Sequence, residues 1–120
     1  MLAALGAEVI RVEPPGGDPT WRTPPFVGPD GVHRGDRGPR DIGISALRKG
    51  RGKRSVVLDL KKPAGRETFL ALARRCDVLV ENFVPGGARR LGIDYESVRS
   101  LNPRLVYCSK IGRASCRERV

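Results

Sequence analysis

The 120-residue sequence contains no apolar run of about 18 residues, the length that a membrane-spanning helix requires. Aromatic residues make up 5% of the chain, so any hydrophobic core must be largely aliphatic. The three cysteines, Cys76, Cys108 and Cys116, are odd in number and lack paired spacing. They predict a reducing, cytoplasmic compartment instead of a disulfide framework, and we expect Cys76 and Cys108 to be inert core residues.

The sequence also lacks the motifs of a metal site and of a phosphate-binding loop. The single histidine, His33, has no second His or Cys at ligand spacing, so we predict a solvated loop residue and no metal site. The Gly52-Lys53 pair is not a phosphate-binding loop, because Leu47 stands where that motif needs glycine and Arg54 where it needs Ser or Thr. These departures exclude a nucleoside triphosphatase.

The net charge of +10 admits nucleic acid, an acidic surface or a phosphorylated ligand as a partner. A GC-rich genome, which favours arginine codons, would produce the same positive charge without any such partner. A small basic nucleic-acid-binding module is therefore one alternative function. Its support is charge alone, because the chain has no recognition-helix signature and too few aromatic residues for base stacking.

Strand and helix patterns alternate along the chain and predict an α/β fold. Strands are predicted at 7–12, 55–60, 77–82 and 105–108, and helices at 1–5, 42–48 and 64–76 and after Asp94. The segment 55–82 has the pattern of a βαβ unit, which implies a parallel strand pair with a right-handed crossover. Residues 14–53 hold seven of the ten prolines and predict a long Pro/Gly-rich loop.

Polar side chains follow the predicted strands, where a parallel sheet forms its ligand crevice. They are Glu13, Asp59 to Lys61, Asn82 with Phe83, and Ser109. Strand alternation would place Asp59 and Lys61 on one face and Leu58 and Leu60 on the other, which suits a purine with its phosphate. An ordinary strand-to-helix turn is the alternative interpretation of this segment.

Residues 77–92 carry the strongest ligand-binding pattern. An apolar strand runs into Glu81, Asn82 and Phe83, and a Pro-Gly-Gly turn then leads to Arg89 and Arg90. The planar fork of an arginine suits phosphate, and the amide and ring offer polar and apolar contacts. The alternative for the arginines is a solvent-facing pair on a short helix.

Four segments in order, 5–20, 53–61, 77–92 and 102–109, resemble blocks of the family III CoA-transferases, which include formyl-CoA and carnitine CoA-transferases. The resemblance implies a Rossmann-like parallel sheet with crossover helices, incomplete at both ends. Residues 1–109 would be a partial CoA-binding domain of a longer, interlocked homodimer. The implied substrates are a CoA thioester and a carboxylic acid. No permanently bound cofactor, nucleic acid or membrane is implied.

The resemblance also suggests roles for individual residues. The adenine end of CoA would be lined by Leu58, Asp59, Leu60 and Lys61. The pantetheine and diphosphate would pass Asn82, Phe83 and Val84, and a phosphate would meet Arg90. Pro14 stands where some relatives carry a basic residue, so we assign no contact to it.

Family chemistry uses an aspartate that attacks an acyl-CoA, forming an anhydride and then an enzyme-bound thioester. We expect that aspartate beyond Val120, so Asp59, Asp77 and Asp94 receive no catalytic role and the isolated chain is predicted to be inactive. An α-methylacyl-CoA racemase and a non-catalytic CoA-binding fragment remain alternatives. Residues 110–120 lack the glycine-rich turn of the family, and we predict that they are a non-native tail.

Overall fold

The computed structural model describes residues 2–110, which belong to two compact units divided between Leu58 and Asp59. The first unit contains a 3-10 helix Leu2–Leu5, β1 Val9–Glu13, a 3-10 helix Pro19–Arg22, β2 Phe26–Gly28, β3 Gly31–His33, β4 Ile42–Gly43, α1 Ile44–Gly50 and β5 Lys53–Val57. The second contains α2 Pro63–Ala73, β6 Val78–Glu81, α3 Gly87–Leu91, α4 Tyr95–Arg99 and β7 Val106–Ser109. The predicted tail lies outside the described residues from position 111 onward.

Strands β1 and β5 form the parallel pair of the first unit. Their register runs from Val9 opposite Lys53 to Glu13 opposite Val57. The backbone N–H of Leu58 donates to the Glu13 carbonyl at 2.9 Å, so the two strands end side by side. Both strands were predicted, but β5 ends at Val57 and not near residue 60.

The Pro/Gly-rich segment contains a small antiparallel sheet of order β3-β2-β4. Phe26 is buried in this sheet, and its ring centroid lies 5.8 Å from that of His33. The prediction of a long loop over 14–53 missed these strands, because each is only two or three residues long and shows no alternation. The helix predicted near 42–48 is present as α1.

An ion cluster supports the turn after β1. The Arg11 side chain contacts Glu13 at 3.3 Å and also pairs with Asp18. The Asp18 carboxylate accepts from the Thr20 backbone N–H at 2.7 Å and thereby caps the 3-10 helix. Burial raises the pKa of Asp18, but the hydrogen bonds from Thr20 and Arg11 outweigh it and lower the pKa below its ordinary value of 3.8.

Asp18→Asn should lower the free energy of unfolding at pH 7, and the difference from the unmodified chain should shrink in acid. A carboxylate whose pKa is lowered by folding stabilises above its unfolded pKa, and that stabilisation is lost as the pH falls through the folded pKa. Urea unfolding at pH 7 and pH 3 measures this, with the exposed Asp36→Asn as control. A difference of equal size at both pH values would contradict the prediction.

The core of the second unit lies between α2, α4 and the start of β7. Ala73, Val98 and Leu105 are buried there, and Leu70, Cys76, Leu79 and Tyr107 pack against them. The helical spacing of Ala73 and Cys76 in the sequence predicted their inward position correctly. Helix α4 follows Asp94 as predicted.

Strands β6 and β7 form the parallel pair of the second unit, from Val78 opposite Val106 to Glu81 opposite Ser109. Cys108 is exposed on β7, so the prediction that it is a core residue is wrong, because the opposite face of the pair carries the core contacts. Within residues 2–110, β5 pairs with β1 and β6 with β7. The parallel pair that the βαβ pattern predicted for residues 55–82 is not among these ladders.

Candidate functional site

The end of β6 leads directly into the exposed candidate residues. The Glu81 carbonyl accepts from the Lys110 N–H at 2.7 Å, which extends the ladder with β7 by one bond. Asn82, Phe83 and Val84 follow and are all exposed, with 39% of Phe83 accessible. The sequence prediction that polar and aromatic groups stand at the end of this strand is confirmed.

A glycine pair lets helix α3 begin close against Phe83. Gly86 has φ of 75°, a conformation that glycine adopts readily, and the Gly87 N–H donates to the Val84 carbonyl at 2.7 Å. A Cβ atom at Gly87 would lie 3.0 Å from the Cβ of Phe83. The Pro-Gly-Gly turn therefore fixes the base of Phe83 while part of its ring stays exposed.

Arg90 returns its side chain to the same turn. Its backbone N–H donates to the Gly86 carbonyl at 3.0 Å, and its Nη1 lies 3.4 Å from where a Cβ of Gly86 would be. Phe83, Val84 and Arg90 are thus grouped around the start of α3. An apolar ring and an exposed guanidinium near one turn suit a ligand that is part apolar and part phosphate.

The segment Leu58–Lys61 is a turn between β5 and α2. The Asp59 carboxylate accepts from the Lys61 N–H at 3.1 Å, and its carbonyl accepts from the Lys62 N–H at 3.0 Å. The prediction that strand alternation separates Asp59 from Leu60 is wrong, because β5 has already ended. Leu58 and Leu60 are half-buried, and Lys61 is exposed.

The Asp59 turn and the α3 group are connected through the first turn of α2. Gly65 lies against the Asp59 backbone, and the Cδ of Arg66 lies 3.3 Å from where a Cβ of Gly92, the residue after α3, would be. The second unit thus holds both groups on one framework. That Lys61 and Phe83 face a single ligand stays a prediction.

Glu13 and Ser109 are the other two residues predicted at strand ends. Glu13 is 5% exposed and pairs with Arg11, so its carboxylate is engaged within the first unit. Ser109 is exposed opposite Glu81. Burial raises the pKa of the neighbouring Tyr107 to about 12, assisted by the negative charges of Glu81 and Asp94, so its phenol is neutral at physiological pH.

His33 is held in a polar cluster that the sequence did not indicate. Its Nε2 lies 2.9 Å from Oδ2 of Asp41, and that oxygen also accepts from the Gly38 N–H at 2.6 Å. The prediction of a solvated loop residue is wrong, because the short strand β3 places His33 beside the buried Asp41. Nothing in the spacing of these residues among prolines and glycines signals the contact.

No helix within residues 2–110 combines the length and apolar character needed to cross a membrane. Over the same residues, no three His, Cys, Asp or Glu side chains are grouped as ligands of a metal ion would be.

Parallel strand pairs and the helices that connect them define an α/β protein. The chain matches CoA-transferase family III over residues 1–112, and it belongs to that family. It is 47% identical over 119 residues to a succinate–glutarate CoA-transferase of Agrobacterium fabrum, covering 93% of this chain and 27% of that protein. It is 42% identical over 113 residues to an acetyl-CoA:oxalate CoA-transferase of Acetobacter aceti, with 93% and 26% covered.

The structure is also similar to the crystal structure of a CAIB/BAIF family protein from Brucella suis. The TM-score is 0.76 at 41% identity, and the match covers 90% of this chain and 27% of the other. This chain therefore spans about a quarter of the length of the relatives that it matches. The fold class predicted from the sequence and the predicted family are both confirmed.

Proposed function

We propose that the chain is the CoA-binding part of an enzyme that transfers CoA between carboxylic acids. The observation that carries this proposal is the family match over residues 1–112. The names of the two relatives given above join CoA transfer to succinate, glutarate and oxalate, which are all carboxylic acids. A CoA thioester and a carboxylic acid are accordingly the proposed substrates, with no permanently bound cofactor.

The proposed CoA contacts are the residues that the resemblance indicated. The adenine end is assigned to Leu58, Asp59, Leu60 and Lys61, the pantetheine and diphosphate to Asn82, Phe83 and Val84, and a phosphate to Arg90. The exposure of Lys61 and the grouping of Phe83, Val84 and Arg90 around the start of α3 support this assignment.

The chemistry of transfer is proposed to use an aspartate outside this chain. Its carboxylate attacks the acyl-CoA carbonyl and expels the CoA thiolate, which leaves an acyl–aspartyl anhydride. The thiolate then attacks the aspartyl carbonyl of the anhydride, releases the first acid and leaves an aspartyl-CoA thioester. The second acid takes the CoA by the reverse of these steps. The isolated chain is therefore expected to show no turnover.

We also propose that residues 1–109 form one part of an interlocked homodimer. A cytoplasmic location is proposed as well, and the unpaired thiols of Cys76 and Cys108 fit a reducing compartment. Neither nucleic acid nor a membrane is proposed as a partner.

Arg90→Gln should weaken the binding of CoA about tenfold, because a charge-assisted bond to phosphate is lost. Isothermal titration calorimetry measures the affinities for CoA and for pantetheine, which has no phosphate. Comparison of the two affinities gives the contribution of that bond. The binding of pantetheine should be unchanged by the substitution. The matched control is Arg99→Gln, whose exposed guanidinium lies 5.7 Å from the Tyr95 ring centroid on α4.

The same titration tests the proposed function itself. CoA binding that survives 0.5 M salt would separate a coenzyme site from a nucleic-acid-binding surface, whose affinity falls steeply with salt. Failure of the unmodified chain to bind CoA, with tight and salt-sensitive binding of single-stranded DNA, would overturn the proposal. Equal weakening of CoA and pantetheine by Arg90→Gln would contradict the phosphate assignment alone.

A further inference from the structure

Glu81, the last residue of β6, accepts two hydrogen bonds, one through its backbone carbonyl and one through its carboxylate. Its backbone carbonyl accepts from the Lys110 N–H at 2.7 Å, and its carboxylate Oε2 accepts from the Phe83 N–H at 2.6 Å. The first bond anchors the residue in the parallel pair with β7. The second spans Asn82, so the chain cannot continue straight beyond the strand.

The turn after Glu81 is held from its other end by helix α3. The Val84 carbonyl accepts from the Gly87 N–H at 2.7 Å, and the backbone of Gly87 lies against the base of Phe83. Phe83 is consequently fixed at its N–H by Glu81 and at its Cβ by Gly87. Phe83 is still 39% exposed, so the fixation orients the residue and does not bury it.

An alanine at position 81 would leave the backbone ladder intact and remove the side-chain acceptor. The Phe83 N–H would then be free to turn toward water, and Asn82 and Phe83 would sample several conformations. Ordering such a segment when a ligand binds reduces affinity. A carboxylate that has already ordered it avoids that loss.

We infer that Glu81 is a positioning residue for the CoA site, which sets Asn82 and Phe83 in their binding conformation through the carboxylate bond to the Phe83 N–H. This role rests on the proposed function, because it concerns the same ligand. Glu81 does not touch the ligand in this account. Its effect is on the affinity for CoA through the shape of the turn.

The test compares three variants of the 120-residue chain by titration with CoA. Glu81→Ala should weaken binding about tenfold. Glu81→Gln should bind within about twofold of the unmodified chain, because its side-chain oxygen reaches the same N–H without the charge. Glu67→Ala, which removes an exposed carboxylate from α2, controls for the change in net charge. If Glu81→Ala loses its folded NMR spectrum, Glu81→Leu, which keeps much of the side-chain volume but has no acceptor, replaces it with the same expectation.

A spectroscopic readout accompanies the titrations. The amide proton of Phe83 should exchange with solvent more slowly in the unmodified chain than in Glu81→Ala, and Glu81→Gln should keep most of that protection. A change in stability alone would alter exchange at many amides of the second unit and not only at that one amide. The bond itself is therefore observed independently of CoA.

Several results would overturn the inference. Equal or tighter CoA binding by Glu81→Ala would show that the carboxylate has no part in the site or competes with the ligand for the Phe83 N–H. Binding by Glu81→Gln as weak as by Glu81→Ala would assign the effect to charge. Failure of the unmodified chain to bind CoA would overturn the proposed function and this role together. A Phe83 amide that still exchanges faster in Glu81→Ala would distinguish that failure from a wrongly placed bond.

Discussion

Gly65→Ala should lower the free energy of unfolding by about 3 kcal/mol, because there is no room for a methyl group at this position. A Cβ atom there would overlap the backbone oxygen of Asp59 and lie 2.7 Å from its carbonyl carbon. Backbone atoms cannot rotate away as a flexible side chain does. The turn at Asp59–Lys62 would have to move away from the start of α2, or the helix would have to begin later.

Urea unfolding of the chain and of Gly65→Ala measures the loss, and Gly50→Ala is the matched control. Gly50 is also a helical glycine, but a Cβ there would meet nothing within 4 Å. Since alanine is the better helix former, Gly50→Ala should leave stability unchanged or raise it by up to about 1 kcal/mol. Equal effects at the two positions would contradict the close packing at Gly65. A loss of CoA affinity in Gly65→Ala would in addition link the turn at Asp59 to the ligand.

Asn102→Ala should lower the free energy of unfolding by about 2–3 kcal/mol. The side-chain amide of Asn102 donates to the backbone carbonyls of Ala73, Arg74 and Cys76, at 3.1, 3.3 and 2.9 Å. These carbonyls lie at the end of α2, where helical partners are lacking. Removing the amide leaves the partly buried Cys76 carbonyl without this donor, and the Ala73 carbonyl keeps only a long bond of 3.4 Å from the Cys76 N–H.

The variant Asn102→Asp tests whether the stabilisation comes from the amide group of the side chain. Aspartate keeps the oxygen that accepts from the Arg104 N–H, but it turns a carboxylate oxygen toward the α2 carbonyls. It should therefore destabilise at least as much as alanine at pH 7. The exposed Asn82→Ala should leave the urea midpoint unchanged. A shift below about 0.5 kcal/mol for both Asn102 variants would show that water satisfies these carbonyls equally well.

The sequence was sufficient for the four strands of the parallel pairs and for helix α2. Apolar β-branched runs marked β1 and β6, and the spacing of Ala73 and Cys76 marked the buried face of α2. A helix was predicted at 1–5, and a 3-10 helix is present at Leu2–Leu5. Local pattern was informative in each case because several consecutive residues carried the same signal.

The remaining structure depends on contacts between distant residues. The sheet of β2, β3 and β4 is made of strands too short to show a period, and it is held by Phe26 and by the His33–Asp41 contact. No contact was predicted for the side chain of Asn102, although its amide reaches residues nearly 30 positions earlier. Such pairings become visible only when the chain is folded.

The sequence predicted which residues belong to the candidate site better than it predicted where they lie. Phe83 and Arg90 were named from the sequence and lie near one turn, as a ligand site requires. Lys61 was placed at a strand end, whereas it lies in a turn whose shape is set by Asp59. The hydrogen bond from Phe83 to Glu81 was not foreseen, because a glutamate at a strand end carries no signal for it.

Backbone amide chemical shifts recorded while CoA is added test the central claim most directly. The account predicts that the largest changes fall on residues 58–61 and 82–90, and that Phe83 and Arg90 are among them. Changes confined to residues 26–43, or none at all in a chain whose spectrum is folded, would contradict it.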